Sequence, residues 1–199
     1  YQNASLVLTD TSFVQTSAVT GTGGTGGGIS GYRGAITIAG GSRVGVIAAG
    51  NTSAGWGGGI HLNGGTLVMD DASVSNNTAA TSGGGLYLTA GAVADLRGVT
   101  AIGGASSQYS NTATLGGGAY VEGDGSGLIL RDVSRVRFNE AVHNGGGVYA
   151  ANGAYVTVRD NAQISDNYAD RSGGGAYLDG EASPSLPTRL NMIDGGGSL

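Results

Sequence analysis

Gly57-Gly58-Gly59-Ile60-His61, six residues downstream of Asn51, is the stretch that decides how this chain folds. The phrase returns four more times. Asn77 precedes Gly83-Gly84-Gly85-Leu86-Tyr87, and Asn111 precedes Gly116-Gly117-Gly118-Ala119-Tyr120. Asn139 precedes Gly145-Gly146-Gly147-Val148-Tyr149, and Asn167 precedes Gly173-Gly174-Gly175-Ala176-Tyr177. Self-similarity at a fixed period of this length is the signature of a solenoid.

A second landmark lies between the triplets: an alternating strand that ends in Asp or Gly. Its copies start at Leu6-Val7-Leu8, Ile36-Thr37-Ile38, Leu67-Val68-Met69, Ala94-Asp95-Leu96, Leu128-Ile129-Leu130, Val156-Thr157-Val158 and Leu190-Asn191-Met192. Seven copies give six periods of 27 to 34 residues. Apolar and polar residues alternate at period two, which is strand and not helix. A third short strand runs up to the Asn, as in Ser73-Val74-Ser75-Asn76, Val136-Arg137-Phe138 and Gln163-Ile164-Ser165. The expected fold is all-β: a parallel β-helix of about six coils with three short strands each. Residues 1–199 form a single segment. Rungs about 4.8 Å apart would make a rod roughly 29 Å long.

Each landmark has a structural reason. The triplets mark turns that need positive φ or close backbone approach. The apolar pairs after them, such as Ile60/Leu62 and Leu86/Leu88, point inward. Asn51, Asn77, Asn111, Asn139 and Asn167 should stack as a ladder of side-chain amides, with Thr16 in the Asn place of the first, partial coil. Coil length varies through insertions at Ala101–Ser107 and Asp179–Arg189, the second holding both prolines.

Composition narrows the function. Gly is 42 of 199 without a three-residue period, which excludes collagen, and apolar alternation excludes a Gly-rich linker. There is no Cys, so no disulfide or thiolate site. All nine basic residues are Arg, the net charge is −5, and no basic run appears, which argues against nucleic-acid binding. No apolar run reaches membrane-spanning length. Tyr1 opens directly into strand-like sequence without a leader. The chain begins and ends inside a coil, with no capping helix. A segment of a longer rod, or a unit that stacks end to end, is expected.

The repeats resemble the polymorphic outer-membrane-protein repeats of chlamydiae and segments of autotransporter passengers. The Gly-Gly-apolar motif matches at all five complete copies. The Phe-x-x-Asn motif survives as Val74-Ser75-Asn76-Asn77, Val136-Arg137-Phe138-Asn139 and Ile164-Ser165-Asp166-Asn167, and Phe13 holds the Phe place in the first coil. The resemblance implies a right-handed β-helix displayed at a cell surface.

Several surfaces are candidates for function. By alternation, His61, Tyr87, Tyr120, Tyr149 and Tyr177 face outward as an aromatic column. It either stabilises rung-on-rung packing or offers a stripe to sugars or a partner chain. Arg97, Arg131 and Arg159 with Asp71, Asp132 and Asp160 resemble the cation-assisted base cluster of polysaccharide lyases. One carboxylate per coil is, however, what a repeat produces without selection for catalysis. His61 and His143 lack metal-ligand spacing. Asp70-Asp71 and Asp166/Asp170 read as solvated turns, with an adventitious Ca²⁺ as the alternative. Sequons place possible glycosylation at Asn3 and Asn76, with Asn51 less accessible. Trp56 either caps the core or marks a contact.

The reading is a non-enzymatic, secreted or cell-surface structural or adhesive β-helix, without cofactor or metal, located extracellularly. Its partners would be copies of itself, end to end or side by side, or other surface proteins and glycans. The alternatives are a carbohydrate-active β-helix, catalytic or glycan-binding, and a glycosylated appendage component of a eukaryotic microbe.

Overall fold

The structure, a computed structural model, describes residues 4–15, 17–21, 23–180 and 186–193. Asn3, Thr16, Pro184 and Asp194 lie outside the described residues. The chain is an all-β parallel solenoid of about six turns, with three parallel sheets. The alternating strands stack in one unbroken register: Leu6, Ile36, Leu67, Ala94, Leu128, Val156 and Leu190 occupy one column. Their neighbours two residues on form a second, from Leu8 through Met69 to Met192.

Each coil holds four strand segments gathered into three sheets. The segment after each triplet and the alternating segment share an 11-stranded sheet. They share it because Ile29–Ala39 and Ile60–Asp70 run through both faces without a break. The corner between them carries positive φ in every complete coil, at Arg33, Gly64, Ala90, Gly123 and Asn152. The strands leading to each Asn form a six-stranded sheet that includes Arg43–Val44, Ser73–Val74, Ala101–Gly103, Arg135–Arg137 and Gln163–Ser165.

The remaining sheet, also six-stranded, follows each Asn: Ala18–Val19, Thr52–Ser53, Thr78–Ala79, Thr112–Leu115, Glu140–Asn144 and Tyr168–Ala169. It is the segment that the sequence reading lacks. Its buried residues are Ser53, Ala79, Ala113 and Ala141, too small to register as an apolar alternation. The insertion expected at Ala101–Ser107 also moves. Ala101–Gly103 is strand, and the added residues are 104–110. A second insertion, residues 46–50, leaves the same corner two coils earlier. The Asp179–Arg189 insertion falls partly outside the described residues.

The core runs along the axis. Ile38, Leu67, Met69, Leu96, Leu128 and Leu130 are fully buried from the alternating face. Val44, Val74, Ile102, Val136 and Ile164 meet them from the pre-Asn sheet. Burial of each such side chain stabilises by about 1.5–3 kcal/mol. The coil geometry aligns like with like, so the core repeats instead of closing.

The three glycines of each triplet serve three different purposes. The first has positive φ in all six copies, from Gly26 (64°) to Gly173 (65°). The second has no room for a side chain: a Cβ on Gly84 would lie 2.4 Å from the Gly117 carbonyl oxygen and 2.5 Å from that of Thr112. The third lies against the Asn of the next coil, where a Cβ on Gly59 would meet Asn77 Nδ2 at 2.9 Å.

Gly84→Ala should therefore lower unfolding stability by about 3 kcal/mol or more, since backbone must move. Gly91→Ala, at positive φ (77°) but facing open space, should cost about 1–2 kcal/mol. Chemical denaturation of both variants checks the difference; equal losses would remove the steric explanation.

Candidate functional site

The Asn ladder is continuous. Asn51 donates to Asn77 Oδ1 (2.9 Å), Asn77 to Asn111 (3.0 Å), Asn111 to Asn139 (2.9 Å) and Asn139 to Asn167 (3.0 Å). The second proton of each amide goes to a backbone carbonyl, as Asn111 Nδ2 does to Val74 at 2.9 Å. The Oδ1 atoms of Asn77, Asn111, Asn139 and Asn167 also accept the backbone N–H of the preceding ladder residue, as Asn111 Oδ1 does from Asn77 at 3.1 Å, and Asn51 Oδ1 accepts that of Ser17. Four hydrogen bonds satisfy the amides of Asn77 and Asn111 completely, which is what lets them sit at zero exposure.

The aromatic column is in register and stacked, an arrangement that fits rung-on-rung packing, the first of the two readings that the alternation left open. Ring centroids are separated by 5.3 Å for His61–Tyr87, 5.1 Å for Tyr87–Tyr120, 4.9 Å for Tyr120–Tyr149 and 5.1 Å for Tyr149–Tyr177. His61, Tyr87 and Tyr149 are buried, at 9%, 9% and 6% exposure. The ring faces are consumed by one another, and each stacked pair adds about 0.5–1.5 kcal/mol beyond its buried area. Trp56, tilted at 49° and 6.2 Å from Tyr87, covers the column's flank. The hydroxyls are tied down by carboxylates: Tyr87 donates to Glu122 (2.8 Å) and Tyr149 to Asp179 (2.5 Å).

This environment resists ionisation. Burial, and then the hydrogen bonds to Glu122 and Asp179, push Tyr87 and Tyr149 far above the usual phenol range. Burial, with the nearby carboxylates Glu122 and Asp179, pushes Tyr120 up to about 12. Burial lowers His61, which favours the neutral imidazole.

The Arg and Asp residues resolve into structural pairs. Asp95, absent from the sequence-level cluster, is the hub. Its carboxylate accepts from Arg97 Nη2 (2.8 Å), from Arg131 Nε (2.7 Å) and from Arg131 Nη2. Burial works against the Asp95 charge, but the two guanidiniums outweigh it and hold the carboxyl below its ordinary range. Asp71, Asp132 and Asp160 occupy one corner position at positive φ, shared with Gly40 and Gly98. Their carboxylates accept backbone N–H groups of neighbouring coils: Val99 to Asp71 (2.9 Å), Gly98 to Asp132 (2.9 Å) and Asp132 to Asp160 (3.2 Å). The left-handed region suits Asp and Gly, which is why the alternating strands end in those residues. Arg159 lies 3.9 Å from Asp160.

Asn76 lies where the two insertions meet. Its backbone N–H donates to the Tyr109 carbonyl (3.2 Å), and a Cβ on Gly50 would strike its own carbonyl oxygen. Its Nδ2 is enclosed without a partner among the described residues. A glycosylating enzyme would have to reach that nitrogen before the coil closes. His143 is half-buried in the post-Asn sheet, on a different sheet from His61.

Two outcomes follow. Asn111→Ala orphans the buried backbone N–H and Nδ2 donors of Asn77 and should cost about 3 kcal/mol or more, read by denaturant unfolding. At alkaline pH the column should titrate late. A tyrosine whose folded pKa is raised stabilises the fold fully below its ordinary value near 10. That stability is lost as pH rises through the folded pKa. Tyrosinate absorbance should therefore show a late component above pH 10 that coincides with loss of the β circular dichroism signal. A single transition near pH 10 with the fold intact would contradict the buried column.

Residues 71–89 match the Chlamydia polymorphic membrane protein repeat. That span contains one Asp corner, one pre-Asn strand, Asn77, one Gly triplet and Tyr87. Comparison with curated proteins and with solved structures gave no match. The chain is thus a parallel β-solenoid whose coils resemble polymorphic membrane protein repeats, one of them by direct match.

Proposed function

We propose that the chain is a non-enzymatic, surface-displayed structural and adhesive rod. The observation that carries this reading is that the repeat runs without a catalytic break. Every acidic residue of the lyase-like cluster has a structural partner, either an N–H of a neighbouring coil or an arginine. A general base needs a carboxylate free to take a proton, and these are engaged in holding corners. The repeat match supports display at a cell surface.

The mechanism is mechanical. Lateral edges are absent along the shaft because each strand pairs above and below. Weak contacts repeated along a stiff rod add as avidity. The end strands expose Leu6, Val7 and Phe13 on one side and Leu178, Met192 and Ile193 on the other. Ser5–Leu8 and Arg189–Ile193 each pair with one neighbour among the described residues. Such edges favour end-to-end contact with a further coil, from this chain or a copy.

The test has two arms. Light scattering over a concentration series, with negative-stain microscopy, should show linear oligomers that lengthen with concentration. Beads coated with the chain should adhere to cell- or glycoprotein-coated surfaces, without releasing reducing or unsaturated sugar ends from added polysaccharide. Sugar release would overturn the non-enzymatic reading. Monodisperse rods on non-adherent beads would overturn the structural and adhesive one.

A further inference from the structure

The outer face of the pre-Asn sheet differs from every other surface of the rod. Its outward residues run Phe13, Arg43, Ser73, Ala101, Arg135 and Gln163, one per coil. A second column two residues on includes Ser75, Gly103, Arg137 and Ser165. Among the described residues, no strand of this sheet carries a carboxylate, although the protein's net charge is −5.

Both insertions rise from the edge of this face. Residues 46–50 leave after Gly45, and residues 104–110 leave after Gly103. Neither contains an acidic residue. Together with the floor they frame an open cleft of about 390 Å³, lined by Arg43, Ile47, Ser73, Ala101 and Tyr109. That volume falls within the ~300–1,000 Å³ of small-ligand sites. The loops are held in place by their contacts on Asn76, and a 3-10 turn over Ser107–Tyr109 shapes the second wall. Tyr109 packs flat on Gly104, where a Cβ would lie 2.5 Å from its Cγ.

The cations here are uncommitted, unlike those around Asp95. Arg43, Arg135 and Arg137 make no ion pair among the described residues. The Nε atoms of Arg135 and Arg137 are enclosed and unpartnered. The carboxylates at the Asp71, Asp132 and Asp160 corners, which precede these strands, are already engaged by backbone N–H groups, and Asp166 follows Ser165 only in the last coil of the face. Arg43 and Arg135 lie three rungs apart, about 14 Å along the rod.

We propose that this face is a binding site for an acidic polysaccharide, a sugar chain bearing carboxylate or sulfate groups, running along the rod from Arg43 to Arg135. The guanidiniums at the two ends take the anionic groups, since Arg presents a planar fork that matches such oxyanions. Ser73 and the Ser-rich loop offer hydroxyls to sugar hydroxyls, and Tyr109 offers a ring to the apolar face of one sugar. Three cations without Lys on an acidic protein are too few to hold a nucleic acid backbone, which favours the saccharide. This proposal specifies a ligand for the adhesive reading above and rests on it.

Binding is measured with the purified chain against polygalacturonate, heparin, neutral dextran and a single-stranded oligonucleotide. The expected result is saturable binding to one or both acidic polysaccharides, weakening with salt, and none to dextran. Polygalacturonate against heparin separates carboxylate from sulfate recognition. Arg43→Ser, Arg135→Ser and Tyr109→Ala should each weaken binding by about tenfold or more, with circular dichroism unchanged. Arg171→Ser, an exposed arginine after the post-Asn sheet, should leave it unaltered. Tighter binding of the oligonucleotide, equal loss with Arg171→Ser, or no polysaccharide binding overturns the proposal. If the polysaccharide fails to bind while coated beads still adhere, the site is wrong and the adhesive reading stands. If the polysaccharide binds but beads do not adhere, the adhesive reading is what fails.

Discussion

The buried Asn amide, hydrogen-bonded to its own kind in the next coil, is the constraint on which the rest of this structure depends. An amide has two donors and two acceptor lone pairs, and at full burial all of them must be met. A stack of identical amides at rung spacing meets them: Asn111 Nδ2 reaches Asn139 Oδ1 at 2.9 Å and the Val74 carbonyl at 2.9 Å. The ladder fixes the register between coils, because a slip of one residue would bury several unpaired polar groups. It also dictates the third glycine of five triplets, Gly28 through Gly147, where any Cβ would press on the amide of the neighbouring coil. Asn and Gly-Gly-Gly are thus one device in two pieces, which is why they recur together.

Around that device the coil distributes its tasks by face. The alternating strands and the pre-Asn strands supply the aliphatic core. The post-triplet strands are buried on both sides, with Leu86 and Leu88 inward and Tyr87 in the stacked column. The post-Asn strands contribute Ser and Ala, and the second glycine of the preceding coil lies close against their backbone, as Gly58 does against Thr78. The corners absorb the conformational cost. The Asp corner, the residue just before Asn77, Asn139 and Asn167, and the corner after the post-triplet strand all carry positive φ.

The insertions at residues 46–50 and 104–110 leave from one corner. Where Asn76, Phe138 and Asp166 pass directly into the ladder Asn, Gly45 and Gly103 open into insertions. A loop placed there leaves the core, the ladder and the triplets untouched, so this position tolerates variation that the others do not. The chain combines a shaft in which each residue is over-determined with one edge where new side chains can be added.

Most of the fold was legible in the sequence because its period is written in residues with one physical meaning each. Gly triplets, ladder Asn and strands ending in Asp or Gly fixed coil number, strand direction and register. The post-Asn strand was not legible, since Ala and Thr in pairs carry no alternation. Nor was the burial of the aromatic column. Alternation places Tyr87 opposite the core, but only coil stacking shows its faces covered by Tyr120 and His61. The pairing of Asp95 with Arg131, 36 residues away, and the meeting of two insertions over Asn76 were also decided by the tertiary structure. The reason is the same in each case. Local pattern sets which way a side chain points, whereas neighbours one coil away are set by how many residues each turn consumes. That count varies from 27 to 34 along this chain.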